Sequence, residues 1–186
     1  MGLFPSHDQL WIYKTKKEID FRIKILAKQI ADSTRGESDP IVLMCVMKGG
    51  YMFFSDLAKQ IGEYGVTNVE IDFIGTRSYD GKHQGGVELV SPHRTNVAGK
   101  RVFLIDDFFD TGNTLTFIAD MLSLYKPTGI EFVTLLTRNS SPEPKYNLRS
   151  AFVCDNEWFA GYGMDDLKGE RRNDPNLYVI GNSPTE

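Results

Sequence analysis

The segment Val102 to Thr114, VFLIDDFFDTGNT, gathers more chemistry than any other stretch of this chain. Its apolar start reads as a buried strand that delivers the chain to the carboxyl edge of a sheet, and two carboxylates, Asp106 and Asp107, follow at once. Asp110-Thr111-Gly112-Asn113-Thr114 then opens a helix. The first amides of a helix lack internal partners and sit at the positive end of its dipole. Gly112 permits close backbone approach, and Thr111 and Thr114 add hydroxyl donors, so this turn suits a phosphate. Adjacent carboxylates accept hydrogen bonds from a vicinal diol and hold a hydrated hard cation such as magnesium through oxygen. A phosphate beside a sugar diol describes a ribose 5-phosphate. The competing reading makes Asp110 a helix cap and leaves Asp106 and Asp107 as solvated residues at a strand end.

The elements that must position this turn are legible on either side of it. Ile19, Ile23, Leu26 and Ile30 recur at helical spacing between Lys14 and Ala31. Ile41 to Val46 (IVLMCV) is a buried-type strand that Lys48-Gly49-Gly50 ends before a helix from Tyr51 to Ile61. Val69 to Thr76 alternates apolar and acidic residues, Thr114 to Tyr125 is helical, and Ile130 to Leu136 is a further strand. This alternation predicts an α/β fold, a central mostly parallel sheet flanked by helices with ligands at the carboxyl ends of its strands. A glycine-rich stretch, 79–97, is expected as a flexible loop and candidate lid. Phe152 to Cys154, Trp158 to Gly161 and Tyr178 to Ile180 are short strand-like pieces expected to form a small hood. The sequence thus predicts a single domain over 1–186, with a core over 35–150 and a hood built from the N-terminal segment and 151–186.

Composition excludes several function classes. A chain of 186 residues with 41% apolar and 25% charged residues buries a core, and no run approaches a membrane span. Lys and Arg number 21 against 25 Asp and Glu, a net charge of -4 that disfavours nucleic acid as a partner. Cys45 and Cys154 lack zinc-type spacing, and the polar start, with Ser6, His7 and Asp8, carries no targeting pattern, so a reducing cytoplasm is expected. His7, His83 and His93 are scattered without metal-ligand spacing.

VFLIDDFFDTGNT resembles the phosphoribosyl-diphosphate (PRPP) binding motif of type I phosphoribosyltransferases. VMKGGYMFFSDLA (Val46 to Ala58), Arg77-Ser78-Tyr79 and WFAGYGMDD (Trp158 to Asp166) are similar to the matching stretches of hypoxanthine-guanine phosphoribosyltransferases. The likeness runs from about Ile41 to Ile180, and the first 40 residues carry little of it.

That resemblance implies magnesium-dependent transfer of phosphoribosyl from PRPP to hypoxanthine or guanine, giving IMP or GMP and diphosphate in purine salvage, by a homo-dimer or homo-tetramer. It implies that Thr111, Gly112, Asn113 and Thr114 cradle the 5-phosphate, that Asp106 and Asp107 hold the ribose hydroxyls with magnesium, and that Asp110 accepts the proton at purine N7 so that N9 attacks. Lys48 and Gly49 would hold the diphosphate, with the Met47-Lys48 peptide cis. Asp165 would bind magnesium, and Arg171 would match the family's downstream arginine, with Arg172 adjacent and the register between them open. Trp158 would stack on the purine and the Phe159 backbone would read its edge. Ser78 and Tyr79 would close over the reacting centre.

The sequence also departs from the family's pattern. Asp106 stands where Glu is common, and Gly75 where arginine is frequent. A gap-free match puts Thr137 where the family has a lysine for the purine 6-oxo group, and a one-residue shift gives that role to Arg138. The alternatives are the same chemistry on xanthine or another base, or a PRPP-sensing regulator without catalysis.

Overall fold

The computed structural model describes residues 9–79, 86–166 and 168–181. After strand β1 (Leu10–Lys14), Thr15 opens helix α1 (Lys16–Ser33) with a capping box, its hydroxyl accepting from the Glu18 amide and the Glu18 carboxylate accepting from the Thr15 amide. Strand β2 (Ile41–Met47) is buried except at its last residue, as a strand covered on both faces must be. Helix α2 (Tyr51–Glu63), β3 (Val69–Tyr79), β4 (Gly86–Ser91), β5 (Arg101–Phe109), α3 (Asn113–Ser123), β6 (Gly129–Arg138) and β7 (Asn147–Cys154) follow, and then β8 (Trp158–Ala160) and β9 (Leu177–Ile180).

The main sheet has the order β4-β3-β2-β5-β6-β7, parallel except for β4. Alternate residues of β2 feed its two faces. Leu43 and Cys45 join the core under α1 and α2, while Val42, Met44 and Val46 join the core under α3. A second antiparallel sheet, β1-β9-β8, forms the hood and buries Phe159, Leu177 and Val179 in the core shared with α1 and α2. Among the described residues, no helix is long and apolar enough to cross a membrane.

Two segments differ from the sequence-based expectation. Within the expected loop 79–97, residues 86–91 form β4, which pairs antiparallel with the end of a β3 that reaches Tyr79. Phe152 to Cys154 belong to β7, the edge strand of the main sheet, and not to the hood. Residues 80–85 of that loop lie outside the described residues, as do His7, His83 and the side chains of Ser78 and Tyr79.

Candidate active site

β2 and β5 are parallel neighbours, so their carboxyl ends bring two loops together. β5 continues through both acids, and Asp106 pairs with Thr134 of β6. Asp106 is 8% exposed. Burial, then the neighbouring Asp107 charge, holds the Asp106 carboxyl well above the usual carboxylate range. Burial also raises Asp107, against the opposing pull of the Asp106 hydrogen bond and of Arg172.

The loop after β2 lies directly on this acidic pair. A Cβ on Gly49 would sit 1.9 Å from Asp107 Oδ2, and one on Gly50 would sit 3.0 Å from Asp106 Cα, so only glycine fits here. The Met47-Lys48 peptide is cis, as the resemblance implies, and Lys48 is exposed.

Beyond β5 the chain turns at Gly112, whose φ of 74° and whose closeness to the Phe109 ring (2.8 Å from a built Cβ) both require glycine. Gly112 is the N-cap of α3 and no side chain caps the helix. The capping reading of Asp110 therefore fails. Among the described residues, the side-chain hydrogen bond made by these first amides is a long one, 3.4 Å from the Asn113 amide to Thr111 Oγ1, so the helix start presents open donors.

Asp110 instead meets Arg138. Arg138 Nε donates to Asp110 Oδ1 at 2.9 Å, while Nη1 donates to the carbonyls of Asp155 (2.6 Å) and Glu157 (3.0 Å). Its guanidinium carbon lies 4.7 Å from the centre of the Phe108 ring. Thr137 turns the other way, its hydroxyl 3.4 Å from the Phe109 carbonyl. Of the two, Arg138 is the side chain that reaches Asp110. Trp158, next to Glu157, is 55% exposed, whereas Phe159 is buried edge-on against Tyr13 and Phe108.

The hood closes the other side. A Cβ on Gly163 would lie 2.2 Å from the Gly49 carbonyl, so the turn that precedes Asp165 rests on the loop after β2. Arg172 Nη2 pairs with Asp165 at 2.5 Å and Nη1 donates to the Gly163 carbonyl at 2.8 Å. Arg171, the expected arginine, points instead toward Asp166 and Asp174 at 3.8 and 4.0 Å. Arg171 has φ 69°, a left-handed residue, and the Arg172 that follows it is the arginine paired with Asp165. Sequence reading also missed Phe108, although strand alternation separates it from the core-facing Phe109.

Among the described residues, no cluster of three or more His, Cys, Asp or Glu side chains could hold a metal alone. The donors nevertheless suit magnesium carried by a phosphate ester. Such an ion takes one or two carboxylates from the protein and completes its shell with water and substrate oxygens. Asp106, buried, and Asp107, half-buried, would supply those carboxylate oxygens, and a bound cation would favour their charged forms against the burial that raises both.

Residues 12–167 match the family model described as phosphoribosyl transferase domain. The hypoxanthine-guanine phosphoribosyltransferase of Streptococcus thermophilus is 31% identical over 172 residues, covering 89% of this chain and 90% of that protein. The Aquifex aeolicus protein of the same name is 31% identical over 169 residues, covering 89% and 91%. The hypoxanthine phosphoribosyltransferase of Trypanosoma cruzi in complex with the product IMP superposes with a TM-score of 0.81 at 28% identity, covering 96% of this chain and 97% of that one. A second structure of the Trypanosoma cruzi enzyme, from a study of its C-terminal region, oligomeric state and activity, gives 0.82 at 27% identity, covering 97% and 94%. With the acidic elbow, the open helix start and this match over most of its length, the chain belongs to the phosphoribosyl transferase domain family.

Proposed function

We propose that this chain transfers the 5-phosphoribosyl group of PRPP to hypoxanthine or guanine, forming IMP or GMP and diphosphate in purine salvage. The observation that carries the choice of base is the Arg138–Asp110 pair beside the acidic elbow. The edge of a 6-oxopurine presents an acceptor at O6 next to N7, whereas adenine presents an amino donor there. Arg138 uses Nε and Nη1 on the protein and leaves Nη2 for O6, and Asp110 keeps Oδ2 to accept from N7–H.

In this reading the amides and hydroxyls of Thr111 to Thr114 hold the 5-phosphate, and Asp106 and Asp107 receive the ribose hydroxyls. Lys48, Gly49 and Arg172 face the diphosphate. Trp158 covers the base and the Phe159 backbone reads its far edge, while Ser78 and Tyr79 close over the reacting centre. Magnesium, held through Asp165 and the acidic pair, would neutralise charge on the leaving diphosphate. The lone pair of N9 attacks C1 of the sugar as the C1–O bond to diphosphate breaks, and the N7 proton passes to Asp110. Charge at C1 develops in a site from which water must be excluded, and the fixed dipoles and carboxylates around it lower the barrier.

A homo-dimer or homo-tetramer belongs to this reading, in line with a Trypanosoma cruzi relative whose oligomeric state has been studied, and two buried unpaired cysteines, Cys45 and Cys154, suit a cytoplasmic location. The test is nucleotide formation from PRPP and magnesium with hypoxanthine, guanine, xanthine, adenine and uracil. Turnover of hypoxanthine or guanine, with adenine disfavoured on the order of 10⁴-fold in kcat/KM, supports the reading. Arg138→Met should erase most of that preference. PRPP binding with turnover of none of the bases would favour a sensor.

A further inference from the structure

The turn that carries Asp165 over the loop after β2 is tied down by one buried phenol. Tyr162 is 2% exposed, and its hydroxyl donates to Asp56 Oδ2 at 2.7 Å. Asp56 lies on α2, the helix that begins where Lys48-Gly49-Gly50 ends. Tyr162 has φ 47° between Gly161 (91°) and Gly163 (103°), a left-handed run that points the ring back into the core. Backbone bonds lock the same turn: the Tyr162 amide donates to the Asp174 carbonyl and the Gly163 amide to the Arg172 carbonyl, each at 2.9 Å. Burial, then the hydrogen bond to Asp56, holds the phenol above its ordinary pKa, so it remains a donor under all ordinary conditions.

We propose that Tyr162 and Asp56 are positioning residues for diphosphate binding. Together they set the height of Gly163 above Gly49, so that Asp165 and Arg172 on the hood and the Lys48–Gly50 loop at the start of α2 present one surface to the diphosphate and its cation. A phenylalanine would fill the same space, and what the hydroxyl adds is a directional tie between the two halves of that surface. The inference rests on the phosphoribosyl-transfer reading. A purely structural tie would affect the whole hood, which also carries Trp158 and Phe159, and so would disturb nucleotide and PRPP alike.

Calorimetric titration separates these cases, because IMP occupies the phosphate and purine regions but has no diphosphate. Loss of a buried hydrogen bond should weaken binding of PRPP with magnesium about tenfold in Tyr162→Phe and Asp56→Ala, with IMP affinity changed less than about twofold. In steady state, the KM for PRPP should rise while the KM for hypoxanthine holds. Asp56→Asn, whose amide oxygen still accepts from the phenol, should return PRPP affinity to within about threefold of wild type. Equal losses for PRPP and IMP, or no loss for either, would overturn the assignment. A wild-type protein that bound IMP but never PRPP would overturn the phosphoribosyl-transfer reading itself, and the inference with it.

Discussion

Asp110 is half exposed, yet its position is set by Arg138, which is itself held by two carbonyls and the Phe108 ring. Asp110→Asn keeps the shape and removes the proton acceptor, so kcat for hypoxanthine should fall by about 100-fold or more with the KM for PRPP little changed, as steady-state kinetics will show. Asp106 poses the opposite case, a buried carboxylate pressed against Asp107 and paid for in stability. Asp106→Asn should raise the thermal midpoint while weakening PRPP binding, measured by scanning calorimetry and titration; a lowered midpoint with unchanged binding would contradict that account. The acids, the glycine turn and the threonines were legible because their order along one strand-to-helix turn is itself the signal. Which of the adjacent arginines pairs with Asp165 was not, because two neighbouring arginines look alike in sequence and only the folded turn, with its left-handed Arg171, separates them.

Among the elements, the buried strands declared themselves through continuous apolar runs, and β2, β5 and β6 lie where those runs predict, though β5 extends through the acids to Phe109. β4 did not, since GVELVS is short and only half-buried, and its identity comes from pairing with distant β3. β7 was divided because its crossover from β6 carries no helix to mark a parallel connection. β3 is tied to the chain after β4 by Asp72, whose carboxylate accepts from the amides of Phe73, Arg94 and Thr95. Partial burial works against the charge, but those backbone bonds prevail and hold the carboxyl below its ordinary value. A depressed folded-state pKa contributes stability that is present above the unfolded value and is lost as pH falls through the folded one. Asp72→Asn should therefore lower the midpoint at neutral pH, with the gap to wild type closing on acidification. A gap independent of pH would show that the carboxylate charge is not what matters.

At the scale of the molecule, the hood is no separate body. Phe159, Tyr162, Met164, Leu177 and Val179 share one core with α1, α2 and strands of the main sheet. Thermal unfolding should show one cooperative transition with equal calorimetric and van't Hoff enthalpies, and two resolved transitions would contradict a shared core. That continuity places the residues proposed to bind the base and those proposed to bind the diphosphate on one frame, which purely local sequence patterns could not show. The most direct measurement is the crystal structure with IMP bound. The account predicts the 5-phosphate against the amides of Thr111 to Thr114, with the purine 6-oxo group within hydrogen-bond distance of Arg138. A phosphate lodged elsewhere, or a purine turned so that its oxygen faces away from Arg138, would contradict it.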